Sequence, residues 1–327
     1  MATGKPRVAV CRALPGRTLE ILSEACEVEL ASPDDGAPPP ERWAEAVRRA
    51  EGVLLCVGER LDGVLVAQSS ALRAVASMSA GVDHVDLRAL GARGIPLATI
   101  GPVLSEATAD LAFALVLMAA RRLGEGERAV RAGTWRGWAP GYLTGLEVHG
   151  ATLGILGMGR IGRALARRGR GFGMRVLYHN RRPLPPEQAE GAEYRSLEDL
   201  LAESDHLVSL LPSTPETRHL LDRAALMRMR TDAVLVNAGR GDTLDLDALV
   251  DLLRQGRFTG VGLDVYPREP LPPDHPVLGF ERVVALPHLG SNTRATRAAM
   301  AETAARALLA LLRGEALPPG AVAEATA

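Results

Sequence analysis

The stretch Gly157-Met158-Gly159-Arg160-Ile161-Gly162 constrains the fold more than any other part of the chain. Three glycines at this spacing follow an apolar run, Thr152–Leu156, and open a helix-forming one, Arg160–Gly171, which describes a tight strand-to-helix turn. Glycine lets the backbone turn sharply and approach a pyrophosphate at the N-terminus of the following helix, so such a turn needs no side chains of its own. The motif alone is weak; the strand before it and the helix after it make it a dinucleotide site.

The pattern around the turn agrees. Short apolar runs at 152–156, 175–178, 206–210, 233–237, 259–265 and 282–286, with helical stretches between most of them, predict a doubly wound parallel sheet. An earlier series at 8–11, 53–56, 74–78 and 96–99 alternates with helical stretches such as 41–50 and 85–93, an α/β pattern in its own right. The expected fold class is therefore α/β, with two doubly wound parallel-sheet domains. Residues 106–122 read as a long linking helix. Residues 124–150 form an excursion with Trp135, Trp138 and Tyr142, in a chain only 3% aromatic. An arm of this kind suits packing on a second subunit, so a homodimer is expected; the alternative is a loop folded over its own domain. A helix over 293–313 is expected to cross back to the first domain. Residues 1–101 with 289–327 then form one discontinuous domain and 102–288 the other, with a hinge over a cleft, and the tail 317–327 is expected to fray.

Composition removes several functional classes. With 327 residues, 47% of them hydrophobic, and a net charge of −1, the chain can bury two cores and has no global pull toward nucleic acid or membrane. The longest apolar run, 111–120, is too short to span a bilayer of about 30 Å and reads as a buried helix. Residues 1–7 have no signal-peptide core. Cys11, Cys26 and Cys56 sit singly without metal spacing, so no metal site and a reducing cytoplasm are expected. Lys5 is the only lysine and lies in a terminus expected to fray. That argues against a P-loop, a Schiff-base enzyme and a Tyr/Lys carbonyl reductase, and leaves histidine as the expected proton donor for a carbonyl.

The chemistry-bearing residues fall at strand ends. Arg240 follows Asn237-Ala238-Gly239 at the edge where open α/β sheets bind ligands, and a guanidinium there can grip a carboxylate and polarise a neighbouring keto oxygen. His288, in Pro287-His288-Leu289-Gly290-Ser291, ends a strand and precedes a helix; Glu269, after the adjacent strand, is a plausible partner. A carboxylate on one ring nitrogen would fix the ring and favour the imidazolium, leaving the other nitrogen to protonate an alkoxide. The plainer alternative for Glu269 is a solvated turn between prolines. In the first series, Ser77-Met78-Ser79-Ala80-Gly81-Val82-Asp83-His84 ends a strand with small residues suited to presenting amides to an anion. Where an NAD site carries an acidic residue on the ribose diol, this chain has His179-Asn180-Arg181-Arg182. Arg181 and Arg182 can bind a 2′-phosphate, which favours NADP(H), with NAD(H) as the alternative.

With these pieces in order, the chain resembles the D-isomer-specific 2-hydroxyacid dehydrogenases over essentially its whole length, and within them the glyoxylate/hydroxypyruvate reductases. The likeness rests on Ser79-Ala80-Gly81-Val82-Asp83-His84, Glu106-Ala107-Thr108-Ala109-Asp110, the glycine turn, Asn237-Ala238-Gly239-Arg240-Gly241, Gly262-Leu263-Asp264-Val265 with Glu269-Pro270, and Pro287-His288-Leu289-Gly290-Ser291. The resemblance implies a Rossmann nucleotide domain inserted into a flavodoxin-like catalytic domain. It implies reduction of a small 2-keto acid to the D-2-hydroxy acid by hydride transfer from NADPH. Ala80, Gly81, Arg240 and Ser291 would meet the substrate, and Arg240, Glu269 and His288 would carry the chemistry. Thr108, Gly157, Gly159, Arg160, Ile161, Gly162, Asn180, Arg181, Arg182, Pro212, Thr217, Ala238, Asp264, His288 and Gly290 would line the cofactor. Two other readings compete: a dehydrogenase of larger or phosphorylated acids using NAD(H), and a dinucleotide-sensing scaffold like the family's co-repressors. The segment Ser209-Leu210-Leu211-Pro212-Ser213-Thr214-Pro215 lacks a histidine that many relatives carry, and the substrate loop Cys56-Val57-Gly58-Glu59-Arg60 does not select among acids.

Overall fold

The computed structural model describes residues 4–325. In chain order, β1 (Arg7–Val10), β2 (Glu27–Leu30), β3 (Gly52–Leu55), β4 (Ala74–Ser77) and β5 (Leu97–Thr99) build one sheet. A second sheet contains β6 (Thr152–Leu156), β7 (Arg175–His179), β8 (Glu193–Tyr194), β9 (His206–Ser209), β10 (Val234–Asn237), β11 (Gly260–Leu263) and β12 (Val283–Ala285); β13 (Val322–Glu324) then returns to the first. Two compact units result, residues 4–104 with 291–325 and Ser105–Gly290, against expected crossings at 101/102 and 288/289.

The first sheet runs β13-β5-β4-β3-β1-β2 and the second β12-β11-β10-β9-β6-β7-β8. Every pairing is parallel except β13 on β5. In each sheet the order reverses once, between β1 and β3 and between β6 and β9. Outside the carboxyl ends of the strands at such a reversal, open α/β sheets form a ligand crevice. Helices cover both faces, so β3, β4, β9, β10 and β11 are buried along their whole length, as parallel strands require.

Helix Ser105–Ala120 lies against the second sheet through Ala109, Ala112, Leu115, Val116 and Ala119, all buried. Small residues on both sides permit the close approach. A Cβ on Gly260 would fall 2.3 Å from the Ala119 carbonyl oxygen, and one on Gly262 3.0 Å from the Leu115 Cβ. The apolar run 111–120 is thus core, and no helix among the described residues is long and apolar enough to cross a membrane.

Three details differ from the sequence reading. Strand β2 was not expected, because Glu27-Val28-Glu29-Leu30 alternates charge with apolar residues at a sheet edge. The tail expected to fray supplies β13, which pairs with β5 and is fastened by Thr99 Oγ1 donating to Glu324 Oε1 at 2.6 Å; residues 326 and 327 of that stretch lie outside the described residues. Lys5 donates to the Ser23 carbonyl at 2.8 Å, so its segment is held against its domain. Ion pairs brace the arginine-rich helix Arg160–Gly171: Arg168 pairs with Glu106 and Asp110, and Arg167 with Glu106 and Glu190. The excursion after helix Leu123–Arg131 leaves Trp135, Trp138 and Tyr142 exposed, Trp138 at 85%.

Gly260→Ala is expected to destabilise the protein by about 1–3 kcal/mol in urea denaturation, because its Cβ meets backbone that cannot rotate away. Gly171→Ala, with open space at its Cβ, serves as the control and should stay within about 0.5 kcal/mol of the parent. Equal midpoints for the two variants would remove the close-packing argument.

Candidate active site

The three glycines of the turn after β6 have separate reasons. Gly157 has φ +102°, and a Cβ there would sit 3.0 Å from the Leu210 carbonyl oxygen, so both conformation and space select glycine. Gly162 faces inward, where a Cβ would fall 2.5 Å from the Gly157 carbonyl oxygen. Gly159 faces open space and is the N-cap of helix Arg160–Gly171, with no side chain capping it. First-turn amides left without a side-chain cap, behind a residue with no side chain, are a ready cradle for a pyrophosphate. The Met158 amide is already used, donating to Asn180 Oδ1 at 2.7 Å, which ties the turn to the end of β7. Arg181 and Arg182 follow on the surface. These residues fit a dinucleotide.

Arg240 is held by its neighbours. Its carbonyl accepts from Asn237 Nδ2 at 3.0 Å and Thr243 Oγ1 at 2.7 Å, and Nη1 donates to the Gly239 carbonyl at 3.0 Å. Flanking glycines let the loop touch other backbone: a Cβ on Gly239 would fall 2.6 Å from the Leu211 carbonyl oxygen, and one on Gly241 1.9 Å from the Tyr266 carbonyl carbon. Leu210 and Leu211 therefore join the glycine turn to the arginine loop, and Tyr266 joins that loop to the carboxylate beyond. The sequence motifs give no role to Asn237 or Tyr266. Full burial of Asn237, and the Tyr266 hydroxyl donating to the Leu286 carbonyl at 3.0 Å, make both positioning residues.

His288 Nδ1 lies 2.7 Å from Glu269 Oε2, each side chain about one-third exposed at 34% and 38%. The Tyr266 amide donates to the other Glu269 oxygen at 3.1 Å. Burial alone would raise the Glu269 carboxyl, but the hydrogen bond and charge of His288, with the Tyr266 amide and the charge of Arg240, hold it below its ordinary value. All three expected catalytic side chains thus belong to one electrostatic group. His288 stands in the turn after β12, with the next helix starting only at Arg294, so it does not directly precede a helix. Its φ of +55° is unusual for a residue with a side chain. Asp264 accounts for it: the His288 amide donates to its carbonyl at 3.0 Å, and the Leu289 and Gly290 amides donate to its carboxylate at 2.7 and 2.9 Å. Burial pushes the Asp264 carboxyl up, against the pull of those two amides. Beyond the cofactor role implied by resemblance, Asp264 sets the turn that aims the histidine.

Other expected residues are placed as follows. Thr108 is buried in helix Ser105–Ala120, its Cγ2 3.2 Å from the Cβ position of Gly290. Ala238 is buried, its amide donating to the Ser209 carbonyl at 3.1 Å. Thr217 Oγ1 is engaged within its own loop, donating to the Pro212 carbonyl at 2.6 Å. In the first unit, Ala80 is exposed and Gly81 half-buried, on a turn ordered by Ser79 Oγ donating to the Gly81 carbonyl at 2.7 Å and by Ser77 Oγ at 3.0 Å from His84 Nε2. Ser291 is half-buried. One expectation is corrected: the cysteines are not all without ligand neighbours. Cys11, Cys56 and Glu59 bring their ligand atoms within 4.8 Å of one another, because adjacent strands unite residues distant in sequence.

Comparison with known proteins places this architecture. Residues 113–290 match the model of the D-isomer specific 2-hydroxyacid dehydrogenase NAD binding domain. A glyoxylate reductase of Aeropyrum pernix is 45% identical over 324 residues, covering 97% of this chain and 96% of the relative. A solved Thermus thermophilus protein superposes with a TM-score of 0.89 at 45% identity, covering 95% of this chain and 98% of the other. An NADPH-dependent glyoxylate/hydroxypyruvate reductase of Sinorhizobium meliloti, solved with NADP and malonate, superposes with a TM-score of 0.84 at 33% identity over 94% of each chain. Fold, glycine turn and full-length similarity agree, and the chain belongs to the D-isomer-specific 2-hydroxyacid dehydrogenases.

Proposed function

We propose that the chain reduces a small 2-keto acid, glyoxylate or hydroxypyruvate, to the D-2-hydroxy acid with NADPH. The observation that carries this reading is the 2.7 Å bond between Glu269 and His288 with the Arg240 charge acting on the same carboxylate. The names of the relatives support the acid, and the NADP-bound Sinorhizobium reductase supports the cofactor.

When bound, the reduced nicotinamide supplies the hydride that C2 of the acid receives. In this reading the Arg240 guanidinium pairs with the substrate carboxylate and draws charge toward the keto oxygen. Glu269 holds Nδ1 of His288 and orients the ring, leaving Nε2 to give a proton to the forming alkoxide. Ala80, Gly81 and Ser291 receive the substrate by likeness to the family. The amides of Arg160 and Ile161 take the pyrophosphate, and Arg181 and Arg182 take the 2′-phosphate. Exposure of both guanidiniums at the end of β7 supports that assignment. The exposed Trp138 supports a homodimer built on the arm that carries it.

Three measurements test this. His288→Ala should lower kcat for glyoxylate reduction by about 10²–10⁴-fold, and Arg240→Ala should lower kcat/KM by about 10²–10³-fold with NADPH binding intact; near-normal turnover in either ends the proposal. NADPH should exceed NADH in kcat/KM by about 10-fold or more, a margin the Arg181→Ala/Arg182→Ala double variant erases; a parent preference for NADH overturns the cofactor assignment. Sedimentation should give a dimer that Trp138→Ser weakens, and a monomeric parent refutes the arm's role.

A further inference from the structure

The reversal of strand order in the first sheet, between β1 and β3, carries a side-chain cluster that the proposed hydride chemistry does not use. Cys11 follows β1 and Cys56 follows β3, and the two strands are parallel neighbours. The Cys11 thiol donates to Cys56 Sγ at 3.7 Å, and Met78, after β4, places Sδ 3.9 Å from the same sulfur. Cys11 is fully buried, while Cys56 is half-buried and so the member a small solute can reach. The third cysteine, Cys26, is buried.

Glu59 completes a set of three ligand-type residues, but its oxygens are taken. Oε1 accepts from Arg12 Nη2, and Oε2 accepts from the Cys56 amide at 3.2 Å. A guanidinium on that carboxylate opposes a second cation, so the cluster is read through its sulfurs rather than as a metal site. The register places Cys56 one residue past the position opposite Cys11; with strands about 4.8 Å apart and a rise of about 3.3 Å per residue, the separation of about 6 Å lies inside the Cα spacing of about 4.4–6.8 Å that a disulfide spans. The sulfurs already touch, and side-chain rotation alone can close them.

We propose that Cys11 and Cys56 form a reversible disulfide, with Cys56 the attacking thiol and Cys11 the resolving one. The co-reactant is a small-molecule disulfide. The Cys56 thiolate attacks one of its sulfurs, forming a mixed disulfide and releasing one thiolate, which takes up a proton. Cys11 then loses its proton, attacks Cys56 Sγ and expels the second small thiol. Two protein thiols are oxidised by two electrons, and one small disulfide is reduced to two thiols. The exposure of Cys56 beside a fully buried Cys11 sets the order of events, and the hydrogen bond to Cys56 together with burial pushes the Cys11 thiol up, in keeping with its acting second. The bond would clamp the segment starting at Cys56, which Glu59 already ties to Arg12, onto the end of β1.

The test is incubation of the native protein with oxidised glutathione, followed by thiol titration and peptide mapping; neither readout depends on turnover, so the result is independent of the proposed reduction. Wild type should lose two of its three free thiols, give a crosslink between the peptides of Cys11 and Cys56, and recover both thiols with dithiothreitol. Cys11→Ser should instead accumulate a glutathione adduct on Cys56, and Cys56→Ser should keep its thiols free, with circular dichroism confirming that both variants fold. Three thiols retained in the wild type, or a glutathione adduct persisting on its Cys56 with Cys11 free, overturns the proposal.

Discussion

Backbone packed directly on backbone at the carboxyl edge of the second sheet is the constraint on which the candidate site depends. Gly157 lies against Leu210, Gly239 against Leu211, and Gly241 against Tyr266, and at each a single added carbon would meet main-chain atoms at 3.0 Å or less. Main chain cannot swing aside as a long side chain can. The glycine turn, the arginine loop and the segment leading to Glu269 are therefore registered to one another by excluded volume before any charge acts between them. The parallel sheet beneath supplies the common direction, bringing the carboxyl ends of β6, β9, β10, β11 and β12 to one edge.

Upon that frame the polar groups divide their labour. Asp264 accepts two amides and fixes the turn holding His288 in a left-handed conformation. Glu269, steadied by the Tyr266 amide, fixes the imidazole. Buried acceptors of this kind cost stability unless their bonds are made, so the same bonds that satisfy Asp264 also orient the histidine. Asn237 does for the Arg240 loop what Asp264 does for the histidine turn, using both ends of its amide: Nδ2 donates to the Arg240 carbonyl, and Oδ1 accepts from the Gly239 amide.

Much of this was legible in the chain. The apolar runs gave the two α/β series, because buried parallel strands admit little else, and the glycine spacing gave the turn. The pairing of His288 with Glu269 was anticipated from adjacent strand ends, and geometry at 2.7 Å bears out that contact. Strand β2 was not legible, since an edge strand tolerates charge, nor was β13, whose Val322-Ala323-Glu324 has no pattern until Thr99 and β5 are beside it. Asp264 drew attention by likeness to a family, yet its hold on residues 288–290 depends on a turn that no spacing rule describes.

Sequence by itself determined what is local: which runs must be strands, where glycine alone can turn, and which side chains can donate a proton or carry a permanent positive charge. Tertiary structure alone decided which of those residues meet. The charge of Arg240 acting on Glu269, the ion pair of Arg168 with Glu106, and the contact of Cys11 with Cys56 join positions far apart along the chain. Their proximity comes from the order in which parallel strands lie side by side, a property of the whole sheet that no short window of residues contains.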